Sequence, residues 1–266
     1  MKRISDHLPE TKKFTPKQRL WYIRAKEVAI SSGSIERPIV FGNNDTPGVV
    51  LSSAAKEYLK VYGVLVGKKP LIFTNNDSAY ETAIEFKKNG ISPVVLDSRS
   101  NPDSEIISEA LSMDIDIRFS HVVVAAKGYK KVKKAEIAKI SEDKNELGKI
   151  ENINCDCICV SGFWTPTIHL ASQSGNKTKF NEKIDAFIPG NSKQNETTLG
   201  SANGVFNLED TLKNSFEAGY EISKKITKNN NKISIPQAYE KKQSEHDKFW
   251  CVPLPKNKKY KRFLDS

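Results

Sequence analysis

The stretch "PLIFTNNDSAYETAIEF", residues 70–86, reads as a strand over 70–74 feeding a helix over 78–88 through a tight turn. "NG" at 89–90 stops that helix, and "SPVVLD", ending at Asp97, supplies a second strand. Strand, helix and strand in this order imply parallel pairing and a right-handed crossover. Laid over the dinucleotide fingerprint G-x-G-x-x-A, the turn puts Thr74 and Asn76 at the two glycine positions and Ala79 at the third small position. Asp97 falls where a ribose-binding acid belongs, roughly 20 residues on. The glycines of that fingerprint each have a physical role. The first permits the sharp turn, and the second lets pyrophosphate approach bare backbone at a helix N-terminus. Thr74 and Asn76 place Cβ atoms where the phosphate lies, while Asn tolerates a left-handed backbone. The expectation is a βαβ unit that keeps the fold without holding a nucleotide.

Outward from this unit, strand-like and helical runs alternate. "RAKEVAISSGS", 24–34, reads as a strand entering a small-residue turn, and "PGVVLSSAAKEYLKVYG", 47–63, as a helix with Val50, Ala54, Leu59 and Tyr62 on one side and Gly63 as its stop. "SEIISEALSM", 104–113, is a second short helix. From 115 to 161 the period changes to two, through "IDIRF", "HVVVAAKG", "KKVKKAEIAKI" and "NCDCICVSG", which predicts an antiparallel excursion. The longest helix is 207–226, with Leu208, Leu212, Phe216 and Tyr220 spaced by four; Asn207 is placed to cap it. The resulting division is a remnant of a first dinucleotide domain (1–46), an inserted Rossmann-like domain (47–160), a return to the first domain with its closing helix (161–226), and a polar, proline-broken linker or strap (227–266). The fold class is α/β, two-lobed.

Composition narrows the class. In 266 residues no run approaches the roughly 18 apolar residues of a membrane helix, and "MKRISDHLPE" lacks the apolar core of a signal peptide. A cytoplasmic location is expected. The net charge of +10 is mostly lysine spread along the chain, without the arginine or aromatic clustering of a nucleic-acid surface. In "KGYKKVKKAEIAK", Val132, Ala135 and Ile137 alternate with lysines in the manner of a protected edge strand. Cys155, Cys157 and Cys159 alternate as core residues on one strand face do; metal-ligand spacing is lacking, and no metal is expected. His121, His169, His7 and His246 form no grouping with Ser, Asp or Cys that spacing can identify, so no catalytic residue is assigned.

Two further segments share a shape. "KEVAISSGSIERP", 26–38, and "CDCICVSGFWTP", 155–166, are apolar strands ending in Ser-Gly, each followed by a proline. Such exits resemble the crossovers between the nucleotide domains of flavin-linked disulfide reductases, where Ser31, Ser32 and Gly33 would let backbone pass close to a cofactor. "LGSANGVFNLEDTLKNSFEAG", 199–219, resembles the closing strand, turn and helix of that architecture. The flavin enzymes carry Gly-Asp in that turn; here Gly200 is followed by Ser201 and Ala202, so the flavin-binding carboxylate is absent and only amides at a helix N-terminus remain.

Longer phrases identify a family. "QRLWYIRAKEVAISSGSIERPIVFGNNDTPGVVLSSAAKEYLKVYGV" (18–64), "FTNNDSAYETA" (73–83), "VSGFWTPTIHLASQSG" (160–175) and "GSANGVFNLEDTLKNSFEAG" (200–219) resemble the alpha subunits of heterotetrameric sarcosine oxidase, over an internal part of that longer polypeptide. The resemblance implies a pyridine nucleotide-disulfide oxidoreductase-like fold, lacking here the glycine-rich first element and the folate-binding, aminomethyltransferase-like region. It implies a complex that oxidises sarcosine to glycine, a one-carbon unit and hydrogen peroxide, with FAD in the beta subunit, FMN at the alpha–beta boundary and NAD resident in alpha. The partners implied are beta, gamma and delta subunits. Carried onto this sequence, the NAD neighbours are Ser31, Ser32 and Gly33, then Ser201, Ala202 and Asn203 with Phe206, which make half a site. Alone, the chain is expected to oxidise nothing and to dissolve poorly, because an incomplete parallel sheet leaves edge amides and an apolar face uncovered. Related opine or secondary-amine oxidases, and a non-catalytic relict of the fold, are the alternative readings.

Overall fold

The computed structural model describes residues 2–10, 12–227, 234–239, 242–255 and 257–263. A short antiparallel pair, β1 (Lys2–Arg3) and β2 (Gln18–Arg19), opens the chain. Next come β3 (Val28–Ile30) and β4 (Ser34–Glu36). The chain then enters a second lobe through β5 (Val49–Leu51), α1 (Ser52–Tyr62), β6 (Pro70–Thr74), α2 (Ser78–Lys88), β7 (Val94–Asp97), α3 (Glu105–Ser112) and β8 (Asp116–Phe119). It continues through β9 (His121–Lys127), β10 (Lys134–Lys139) and β11 (Glu151–Asn154), and leaves by β12 (Cys157–Ser161).

Back in the first lobe lie β13 (Trp164–Pro166), α4 (His169–Gln173), β14 (Thr178–Asn181), β15 (Ala186–Pro189) and β16 (Glu196–Thr198). A 3-10 turn, Gly200–Asn203, then leads to α5 (Leu208–Thr227). Among the described residues, no helix is long and apolar enough to cross a membrane.

The second lobe is built on a five-stranded parallel sheet in the order β5-β12-β6-β7-β8. Every residue of β6 and β12 is buried, the pattern of strands covered on both faces. On one face Ile72, Val95, Cys157 and Cys159 meet Ala83, Phe86, Ile107 and Ala110 of α2 and α3. On the other, Leu71, Phe73, Leu96, Ile158 and Val160 meet the antiparallel sheet β11-β10-β9. Burying each of the Leu, Ile, Val and Phe side chains among these contributes about 1.5–3 kcal/mol. Gly63, at φ 64°, ends α1 with its N–H on the Leu59 carbonyl at 3.0 Å, the left-handed stop expected of it.

Four expectations need correction. The first residues of 47–63 are not helical: Val49–Leu51 pairs parallel with β12, and the buried face of α1 is Ser52, Ala55 and Leu59. "IDIRF" is the fifth parallel strand, and "CICVS" is the second, rather than members of the antiparallel excursion. A period of two marks a strand but not its direction. The lysine-flanked β10 is the middle strand of its sheet, not an edge. Cys155 packs in the core opposite to that of Cys157 and Cys159.

The stretch after 242 is a strap that docks on both lobes. Val40 N–H donates to the Trp250 carbonyl and Val252 N–H to the Val40 carbonyl, both at 2.8 Å, while Phe249 and Val252 join the second-lobe core.

Candidate functional site

At the carboxyl end of β6 the turn is filled by its own side chains. The Thr74 hydroxyl donates to the Asn76 carbonyl (2.9 Å) and accepts from the Asn76 N–H (3.1 Å). Asn76 Nδ2 donates to the Ser161 carbonyl and hydroxyl at the end of neighbouring β12 (3.2 and 3.1 Å), and its Oδ1 accepts from Ser78 N–H at the start of α2 (3.0 Å). Asn75 Nδ2 donates to the Asp247 carbonyl of the strap (2.7 Å), and Asp77 accepts from Ser244 N–H (2.7 Å). Asp97 is fully buried; it accepts from Arg99 Nε and Nη2 and from the Tyr80 hydroxyl (2.8 Å). Burial first, then the Asp97 charge, pushes the Tyr80 phenol up. Where a dinucleotide fold presents bare amides and a free acid, this turn presents the Asn76 and Ser78 amides already paired and an acid already committed.

The second candidate region lies between the lobes. β3 and β16 pair in parallel, Ile30 opposite Thr198, and the Ile30 carbonyl accepts from Leu199 N–H at 2.8 Å. The Ser31–Gly33 and Gly200–Asn203 turns therefore leave the same sheet side by side, at strand carboxyl ends. Gly33 sits at φ +76° with no atom within 4 Å of where a Cβ would stand, so its backbone borders open space. Gly162, the matching glycine of the other Ser-Gly exit, serves the close crossing of chains instead, since its Cβ would stand 2.9 Å from the carbonyls of Arg37 and Pro38. The Ser32 hydroxyl donates to the Thr167 carbonyl at 2.7 Å. Ser31 and Asn203 are exposed, Ala202 is buried, and Ser201 and Phe206 are half-buried. Asn207 caps α5, accepting from Asp210 N–H at 2.9 Å.

Ser201 and Phe206 reach a cleft of about 340 Å³ whose other walls come from both lobes and the strap. Glu36, 4% exposed, accepts from Ser53 N–H (2.8 Å) and Oγ (2.6 Å) at the first turn of α1. Burial pushes its carboxyl above the ordinary range against those hydrogen bonds. Lys56 pairs with Glu81, and Trp164 Nε1 donates to the Ser78 hydroxyl at 3.2 Å. Phe163, at φ 75°, stands edge-on to Phe206 (5.0 Å) and stacks flat on His246, with centroids 3.9 Å apart and planes 3° apart. Behind them the Arg37 guanidinium lies 3.6 Å from the Trp250 ring and donates to the carbonyls of Asp185 (2.8 Å) and Ile184 (3.2 Å). Burial brings its pKa down to about 10.

Sequence reading did not find Glu36, Phe163, Trp164 or His246 as site residues. The one available signal was the Phe163–Trp164 pair, two large aromatics just past a Ser-Gly strand exit. His121, by contrast, is half-buried at the start of β9, its Nδ1 2.7 Å from the Phe119 carbonyl, and His169 is exposed.

No family model matches the sequence. Among solved structures, the fold is similar to L-proline dehydrogenase from P. horikoshii (TM-score 0.53, 22% identity, 76% of this chain and 35% of that one). It is also similar to thioredoxin reductase from T. acidophilum (TM-score 0.53, 14% identity, 69% and 59%) and to the flavoprotein disulfide reductase RclA from Escherichia coli (TM-score 0.54, 14% identity, 76% and 44%). The fold is that of the FAD/NAD(P)-binding oxidoreductases. Curated relatives are more specific. The sarcosine oxidase alpha subunit of Corynebacterium sp. (strain P-1) is 31% identical over 240 residues, 89% of this chain and 24% of the relative; that of Rhizobium meliloti (strain 1021) is 34% identical over 204 residues, 76% and 20%. Over this shared region the chain belongs to the sarcosine oxidase alpha-subunit family, and it spans about a quarter of the length of those relatives.

Proposed function

We propose that the chain is the dinucleotide-holding scaffold of a sarcosine oxidase-like oxidoreductase, working with other subunits and oxidising no substrate alone. The supporting observation is the Ile30–Leu199 hydrogen bond, which sets the two predicted turns side by side. Ser31, Ser32 and Gly33 approach one side of the ligand, and Ser201, Ala202, Asn203 and Phe206 the other. The open backbone at Gly33 suits a close approach by a phosphate or ribose, and the lack of an acid after Gly200 suits NAD better than flavin. NAD, when bound, supplies a nicotinamide dinucleotide held in place. FAD in the beta subunit and FMN at the alpha–beta boundary carry the oxidation of sarcosine to glycine, a one-carbon unit and hydrogen peroxide, and neither is held by this chain alone.

Titration of labelled NAD onto the chain, alone and with partner subunits, tests this reading. Binding is expected in both cases, tighter in the complex, and weakened at least about tenfold by Ser201→Glu, which sets a carboxylate beside pyrophosphate. Peroxide from sarcosine is expected only with the partners. Peroxide from the purified chain, or binding untouched by Ser201→Glu, overturns the reading.

A further inference from the structure

We infer that the second lobe carries a docking surface at the amino ends of its parallel strands, the end away from the cleft. Its occupant is another protein chain, presenting an apolar centre rimmed by aspartate and glutamate. This builds on the reading above, that the chain works with other subunits, and names a face that one of them covers.

Two segments meet at that end. The loop 63–69 runs from the end of α1 to Pro70, the first residue of β6, and the turn 128–133 joins β9 to β10. Asp156, just before β12, ties them together. Its carboxylate accepts from the N–H groups of Lys68 (2.9 Å) and Lys69 (2.7 Å), and its own N–H donates to the Lys69 carbonyl at 3.2 Å. Beside it, Cys155 N–H donates to the Lys133 carbonyl at 3.3 Å. Gly67 lets the loop press close, since a Cβ there would stand 2.5 Å from Asp156 Oδ1 and Cys157 Sγ. The surface is therefore held in shape in advance, and covering it costs little ordering.

Its centre is apolar. Ala55 and Leu59 of α1 are spent on the lobe's own core. Tyr58, Val61 and Tyr62, at the i, i+3, i+4 spacing of a second helix face, are exposed, as are Val64 and Leu65 past the helix stop. The Tyr58 and Tyr62 rings lie 6.2 Å apart, and Tyr129, in the neighbouring turn, is 94% exposed. Contiguous exposed apolar side chains led by tyrosine are the composition of a protein interface centre.

Charge defines the occupant's rim. Lys60, Lys68, Lys69, Lys130, Lys131 and Lys133 are all exposed, and none has an ion pair among the described residues. The lysines that border them, Lys56 and Lys127, are paired with Glu81 and Glu136. No acid occurs in 58–69 or 127–134, and Asp156 is occupied by backbone amides. Six uncompensated cations around an apolar centre call for carboxylates around the surface that covers it. Neither segment holds an arginine, the residue that reads base edges in nucleic acid.

The test couples the 266-residue chain, assembled with its partner subunits, by a zero-length carbodiimide, with the products read by mass spectrometry. The reagent joins a lysine amine to a touching carboxylate as an amide and takes up the water lost, becoming a urea. Links from Lys68, Lys69, Lys130 or Lys131 to Asp or Glu of another chain are expected. Lys68→Glu combined with Lys131→Glu should slow association at least about tenfold at low salt and less at high salt. Leu65→Asp should weaken the complex at any salt. Neither change should alter NAD binding, because the cleft lies at the other end of α1. A complex that assembles with these lysines unlinked, or with both variants binding as wild type does, overturns this surface and leaves the partner reading standing. Failure of the wild type to assemble at all overturns both. Salt-sensitive retention on phosphatidylglycerol vesicles or duplex DNA, lost in the double lysine variant and without links in the complex, gives the surface to lipid or nucleic acid and overturns the protein occupant.

Discussion

Arg99 holds Asp97 through Nε and Nη2, at 3.0 and 2.7 Å, in a position where the two side chains are 7% and 0% exposed. The acid that ends the second strand of a dinucleotide βαβ unit normally reaches outward to a ribose. Here the residue two positions on folds back over it and also pairs with Asp77, so the strand end is sealed from inside. Removing the guanidinium strands two buried carboxylates. Arg99→Leu is expected to cost about 3–5 kcal/mol, read as a lower urea midpoint. Asp97→Asn combined with Arg99→Leu should cost less than the sum of the two, because the stranded charge goes with its partner. Strict additivity would show that the pair does not hold the strand end.

How much of this was legible follows the physics of each element. The strand at 70–74 and the helix at 78–88 were readable because a buried strand and a glycine-stopped helix carry local signals. Strand direction was not: β8 and β12 alternate or run apolar as any strand does, and only pairing across the sheet makes them parallel. Val49–Leu51 was absorbed into a helix because so short a strand shows no period. The cleft was illegible for another reason. Glu36, Trp164 and His246 come from widely separated parts of the chain, and topology alone brings them together.

His246 makes the strap sensitive to acid. Burial, then the charges of Arg37, Lys248 and Arg99, holds its pKa below the ordinary 6.5, with Asp185 pulling the other way. Below pH 6.5 the unfolded chain takes up a proton that the folded chain refuses, so stability falls as pH drops from there toward the folded value. Glu36, with a raised pKa, acts in the opposite sense, losing its contribution as pH rises above the ordinary 4.5. His246→Phe keeps the stack on Phe163 and removes the titration. The difference in Tm between wild type and this variant, measured from about pH 7.5 to about pH 5, should shift in favour of the variant as pH falls. A flat difference would mean that His246 does not set the acid response.

The end of the chain depends on a missing side chain. A Cβ on Gly42 would stand 2.7 Å from the Cβ and ring of Tyr260. Tyr260 also lies over Lys127, 4.6 Å from ring centre to ammonium, and donates its hydroxyl to Glu136, which pairs with Lys258 at 2.8 Å. Gly42→Ala is expected to cost about 1–3 kcal/mol by overpacking and to expose the segment around Tyr260 to protease. Adding Tyr260→Gly should recover part of that stability by removing both the ring and the Cβ that clash, while leaving the segment cleavable. A double variant less stable than Gly42→Ala alone would show that Tyr260 is not what Gly42 accommodates.

The two lobes differ in how their sheets are covered, and hydrogen exchange should see it. β6, β7 and β12 are internal to a five-stranded sheet with apolar layers on both faces. β3 and β16 form a two-stranded sheet, Val28 is 45% exposed, and α5 has no buried residue along its length, with Phe216 at 37%. Opening free energy follows local burial, so amides of β6 and β12 should exchange at least about a hundredfold more slowly than those of β3 and β16 in the lone chain. The α5 face of Leu212, Phe216 and Tyr220 gives the same region an apolar surface, which predicts self-association and dye binding at micromolar concentration. Partner subunits that cover this surface should raise protection at β3 and β16 selectively and leave β6 unchanged. Uniform protection across both lobes in the isolated chain would mean that the small sheet is stable by itself, and that the first lobe needs no further covering to fold.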